Sequence, residues 1–141
     1  DTVANAQAFA AALASEGFDV LAESRGYTAS HQVLTRHGEL DSGAGAKAAK
    51  RLEEAGIITN MNMLPGDTKA LSPSGLRLGV QELTRVGFTP DDMQEVAQCY
   101  ARVLLAHEDP KDVRKDVHEL KLNHQVVRYC FNDDERPGYP E

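Results

Sequence analysis

The sequence predicts an α+β fold, a small antiparallel or mixed sheet covered by helices. Three observations lead there. Helix-like and strand-like stretches follow in the order helix, strand, strand, helix, strand, strand, helix, helix. The first two strand-like runs are joined by a turn-prone stretch, residues 24–30, which suggests an antiparallel pair. The connections are short except for residues 63–74, and a loop of that length with its own proline, glycine and aspartate is more often functional than idle.

Each element has a local reason. Residues 3–16 place Val3, Ala6, Phe9, Ala10 and Leu13 at helical spacing on an alanine-rich background. Gly17 supplies the stop. Residues 18–23 and 31–37 read as strands. Asp41 and Ser42 are candidate caps for a helix over residues 46–55, which Gly56 ends. Residues 57–62, IITNMN, are strand-prone. Residues 75–80 form a short strand that passes into a helical turn at 81–85, closed by Gly87. Thr89 is a strong N-cap, with Pro90 at the first helical position and Asp91 and Asp92 favourable to the dipole. Met93, Val96, Ala97, Tyr100, Val103 and Leu104 then make the clearest apolar stripe in the chain. Pro110 breaks it, and a last helix runs from about 111 to about 127. Residues 1–128 are expected to form one domain, with 129–141 a polar, proline-rich tail or linker.

The totals narrow the classes of function. The chain has 141 residues, 41% hydrophobic and 26% charged, which suits one soluble domain able to bury a core without metals or disulfides. Its formal net charge of −7 argues against a nucleic-acid partner. No apolar run approaches the roughly 20 residues that cross a bilayer. No charged-then-apolar leader opens the chain, so no secretory signal is expected. Cys99 and Cys130 lack framework spacing and fit a reducing, cytoplasmic setting. Cys99 falls on an apolar stripe and reads as a buried, inert thiol. The five histidines, His31, His37, His107, His118 and His124, form no ligand pair at helical spacing, so no zinc site is expected. Nucleophile elbows, phosphate loops and dinucleotide fingerprints are absent. No lysine has the apolar context that Schiff-base chemistry requires.

Arg77 is the leading candidate for a binding residue. It lies in SPSGLRLG, residues 72–79, on a strand with Leu76 and Leu78 on the opposite face. A guanidinium presents a planar fork that grips a carboxylate at two points, and flanking glycines let a ligand approach. On spacing alone the commoner reading is an exposed arginine beside a surface acid. Asn60 and Asn62 alternate onto one strand face and offer donors and acceptors together. Service to the following turn is their default role, as it is for Asp67.

Five ordered blocks carry a family resemblance. SGLRLG, residues 74–79, resembles the SGxRxG segment of the serine hydroxymethyltransferases, pyridoxal-phosphate enzymes that move a one-carbon unit between serine and glycine. NAQAFAAALASEGFDV, TASHQVL, AAKRLEEAGIITNMNMLPGD and GFTPDDM are similar to further segments of that family's C-terminal domain, in the same order. The resemblance stops near Val127.

The resemblance implies a small C-terminal domain that binds the amino-acid substrate and helps close the active site. It implies that Arg77 holds the substrate α-carboxylate and that Asn62 lies on the folate, or acceptor, side. It places the pyridoxal phosphate, its Schiff-base lysine and all residues acting directly in catalysis in a large N-terminal domain of the same protein. The full-length form is then a homodimer or tetramer, and these 141 residues alone are inactive. Three stretches depart from the family pattern: residues 79–87, the loop between Asp67 and Ser74, and residues 28–31. They fall on the side where tetrahydrofolate would sit. The related L-threonine transaldolases, which pass a glycine-derived carbanion to an aldehyde without folate, are therefore an alternative. A non-catalytic interaction module derived from the same domain is another.

Overall fold

The computed structural model describes residues 1–128 together with the backbone of Arg136–Pro137. Helix α1 (Thr2–Glu16) ends at Gly17, whose φ of 106° lets the amides of Gly17 and Phe18 return to the Ala14 and Leu13 carbonyls. Strand β1 (Asp19–Val20) is shorter than the expected 18–23. Ala22 takes a left-handed conformation, φ 63°, and turns the chain into a 3₁₀ turn at Glu23–Arg25, ending the pairing. Strand β2 (Gln32–Arg36) pairs antiparallel with β1, as the sequence suggested.

Helix α2 (Ala44–Glu54) starts two residues earlier than expected. Its N-cap is Gly43, so neither Asp41 nor Ser42 is the cap residue, although Ser42 Oγ accepts from the Ala44 amide at 3.3 Å. At its far end Gly56 adopts φ 77° and the Ile57 amide reaches back to Leu52 O at 2.9 Å. That reverse turn uses the start of the expected strand, leaving β3 as Asn60–Asn62. Strand β4 (Gly75–Gly79) and helix α3 (Gln81–Arg85) follow. Thr89 and Asp92 form a reciprocal capping box over a 3₁₀ turn, Pro90–Asp92, that leads into α4 (Met93–Leu104).

Helix α5 (Pro110–Leu122) stops five residues before the expected 127. His124 ends it: Nδ1 lies 3.0 Å from Leu120 O, and the ring stacks on Phe88 with centroids 3.9 Å apart. Beyond it, β5 (Val126–Val127) pairs with β6 (Arg136–Pro137). The rest of the tail and Cys130 lie outside the described residues.

The fold is α+β, and its main sheet is wholly antiparallel in the order β1-β2-β4-β3. Helix α1 packs on α4 and on β1 and β2, while α2 packs on β3 and β4. Val20, Val33, Leu76 and Leu78 point into this core with Phe9, Leu13, Leu52, Met93 and Val103. Val3, expected on the buried stripe, is exposed. Asn5 is buried instead, its Nδ2 donating to Thr84 Oγ1 at 2.8 Å and Phe88 O at 2.9 Å, which joins α1 to α3. Among the described residues no helix is long and apolar enough to cross a membrane.

Candidate functional site

The sheet has one covered face and one open face, because side chains alternate along each strand. The strand register fixes what the open face displays. Arg77 lies between Leu34 of β2 and Asn60 of β3. Gly75, two residues before it, lies between Arg36 and Asn62. The guanidinium of Arg77 and the amides of Asn60 and Asn62 therefore share one surface, while Leu76 and Leu78 are buried behind it.

Arg77 is exposed, and among the described residues no hydrogen bond or ion pair engages it. The acid on the same face, Asp19, sits 3.8 Å from Arg36 instead. Asn60 is exposed directly across from Arg77. Asn62 donates from Nδ2 to Met63 O at 2.8 Å, so part of its amide serves the following turn. His31 is exposed just before β2, and its carbonyl accepts from the Val80 amide.

The loop 63–74 walls one end of this face. Leu64 is buried against Gly75, where an added Cβ would overlap its side chain, with Cδ1 at 2.7 Å. Asp67 does more than form a turn. Its Oδ2 accepts from Leu64 N, Ser74 N and Ser74 Oγ at 2.8, 3.0 and 2.7 Å, and Oδ1 accepts from Asp41 N at 2.7 Å. Desolvation pushes this carboxyl up, but those four hydrogen bonds together outweigh it and hold it well below the usual carboxylate range. Asp41 returns the contact: it accepts from Thr68 Oγ1, Thr68 N and Lys69 N, each at 2.7 Å. The Thr68 hydroxyl and then the Lys69 and Thr68 amides pull its carboxyl down. The sequence marks Asp41 only as a cap candidate, because its loop partners are more than 25 positions away. Proximity to a helix start was the only local signal.

His37 lies at the end of β2, beside the site but half-buried. Its Nε2 is 2.8 Å from Thr35 Oγ1, its ring meets Phe18 edge-on, and its amide donates to Ser74 O. Burial pushes its pKa down to about 4, opposed by Asp19. Cys99 is buried and in no disulfide, and burial pushes its thiol up.

This arrangement defines an α+β domain that offers a positioned cation and two amides on an open sheet face. A solved structure of L-threonine transaldolase from Pseudomonas fluorescens, in its internal aldimine state, is similar over 87% of this chain and 27% of its own, with TM-score 0.77 and 30% identity. The model of the family described as serine hydroxymethyltransferase matches residues 1–100, and the chain belongs to that family. Serine hydroxymethyltransferase of Pyrococcus abyssi is 54% identical over 132 residues, covering 92% of this chain and 31% of the relative. That of Korarchaeum cryptofilum is 49% identical over 141 residues, covering 97% and 32%. The chain thus spans about a third of the length of the relatives it matches.

Proposed function

We propose that this chain is the C-terminal small domain of a pyridoxal-phosphate enzyme that makes or breaks the Cα–Cβ bond of a β-hydroxy amino acid. Interconversion of serine and glycine is the leading reaction, since relatives at 54% identity carry the name serine hydroxymethyltransferase. In this reading Arg77 grips the substrate carboxylate, Asn62 faces the folate or acceptor, and the domain helps close the site against a large N-terminal domain. The observation that carries it is an exposed arginine at the middle of the open face with no acid engaging it among the described residues.

The residues present do not fit the cofactor's covalent anchor. None of the described strands carries a lysine, and Lys47, Lys50, Lys69, Lys111, Lys115 and Lys121 are all exposed on α2, the 63–74 loop or α5. In this reading the cofactor belongs to the remainder of the protein, and this domain contributes orientation. A two-point charged grip fixes which substituent of the α-carbon is presented for reaction.

The test uses the full-length protein. Arg77→Ala should raise the amino-acid KM by about 10- to 100-fold, the equivalent of one charged hydrogen-bond pair, with the cofactor absorbance unchanged. Unchanged KM and kcat would reject the assignment. The transaldolase reading is supported by the structural likeness and is separated by assay. Serine with tetrahydrofolate reports the first activity. Turnover only of threonine with an acceptor aldehyde reports the second.

A further inference from the structure

Asn62 and Arg77 reach the open face from two different strands, and the 63–74 loop is the only covalent link between those strands. One carboxylate ties both ends of that link. Leu64, two residues after Asn62, and Ser74, three residues before Arg77, are both bound by Asp67 Oδ2. Ser74 is fully buried, and its carbonyl takes the His37 amide, so the pinned residue is locked to β2 as well. Leu64, held by the same oxygen, covers Gly75 between Arg36 and Asn62.

We propose that Asp67 is a positioning residue for the substrate site, fixing both ends of the loop that joins the Arg77 and Asn62 strands, whose spacing their own backbone ladder sets, and holding Leu64 as the wall beside them. This rests on the reading of Arg77 given above. The chemistry requires an ionised carboxylate. Four donors converge on two oxygens, and an amide has one acceptor oxygen. In Asp67→Asn the Nδ2 group faces either the Asp41 amide or the three donors at Leu64 and Ser74, so donor meets donor in both orientations. The depressed pKa of Asp67 agrees with a charge held by these donors. Asp41 braces the loop from outside. It holds Thr68 and Lys69 but touches neither Leu64 nor Ser74.

That difference supplies the experiment, done in the full-length protein well below its unfolding temperature. Asp67→Asn should raise the amino-acid KM about 10-fold, keep kcat within about 2-fold, and speed hydrogen exchange at the Leu64 and Ser74 amides. Asp67→Glu should recover part of the KM. Asp41→Asn should lower Tm while leaving KM within about 2-fold. If KM follows Tm equally in the Asp41 and Asp67 variants, or does not move in Asp67→Asn, Asp67 is structural only and the inference falls. Arg77→Ala is measured alongside. A raised KM there with none in Asp67→Asn overturns this inference alone. An unmoved KM in Arg77→Ala overturns the functional reading and this inference with it. Should Asp67→Asn not fold, Ser74→Ala removes one of the four bonds and is expected to shift KM in the same direction by less.

Discussion

Replacing Gly45 by alanine tests how α2 is seated on the strand that carries Arg77. Gly45 is in the first turn of α2, and its amide donates to Pro73 O at 3.0 Å. A Cβ there would overlap the Gly75 carbonyl oxygen and come within 2.9 Å of the Gly75 nitrogen and carbonyl carbon. As an isolated helix position, glycine to alanine should stabilise by at most about 1 kcal/mol. Against it stands overpacking onto backbone, on the order of 3 kcal/mol. The backbone cannot retreat easily, because Gly75 is paired to Arg36 on one side and Asn62 on the other. The balance is a loss of about 2 kcal/mol, or about 6 °C in Tm for a domain of this size. Urea and thermal unfolding followed by circular dichroism measure it, with Ala46→Gly in the same turn as the propensity reference. The sign is decisive. A Gly45→Ala protein as stable as the parent, or more stable, refutes the close approach of helix and strand.

His37 should make stability depend on pH in a defined direction. Its folded pKa is lowered to about 4 from 6.5, so the unfolded chain binds more protons between those values and stability falls as pH drops through that window. From about pH 7.5 to about pH 5 the loss should be about 2 kcal/mol, read as the difference between the parent and His37→Gln in urea unfolding; equal slopes for the two would contradict it. Asp92→Ala should cost about 1 kcal/mol, because one carboxylate oxygen accepts both the Thr89 amide and hydroxyl at 2.7 Å. Thermal unfolding checks that, and a Tm unchanged by Asp92→Ala would mean that the capping box adds nothing.

Much of the fold was legible because it is written in local signals. Gly17 and Gly56 stop helices through left-handed turns, and Thr89 with Asp92 starts one. The alternation of Leu76, Arg77 and Leu78 placed the arginine on the solvent side. Errors arose where a residue serves a distant partner. His124 stacks on Phe88, 36 positions away, and ends α5 early, whereas β3 is shortened by a local turn in which Ile57 returns to Leu52. Asp41 and Asp67 looked like cap and turn formers, but their side chains reach across to each other's loops. Such long-range hydrogen bonds leave no periodicity in the chain. Motif resemblance, not periodicity, pointed to Arg77 over any other surface arginine.

The openness of the sheet face bears on how tightly Arg77 can hold an anion. Asp19 and Arg36 sit 3.8 Å apart with both side chains well exposed, a pair of little energetic weight. Exposed to water, a guanidinium and carboxylate at contact gain only about 1 kcal/mol, whereas at the effective dielectric of a partly covered site the figure is about 4 kcal/mol. An open sheet face therefore presents the donor without supplying the environment that makes it strong. Covering the face by a second domain would raise the Coulombic attraction while excluding competing water. The buried, cross-braced side of the domain then has a clear physical purpose. Leu76 and Leu78 in the core, and Ser74 tied through Asp67, fix the backbone from which Arg77 projects. If a second domain covers this face as proposed, little of the binding energy is spent on ordering the arginine's strand.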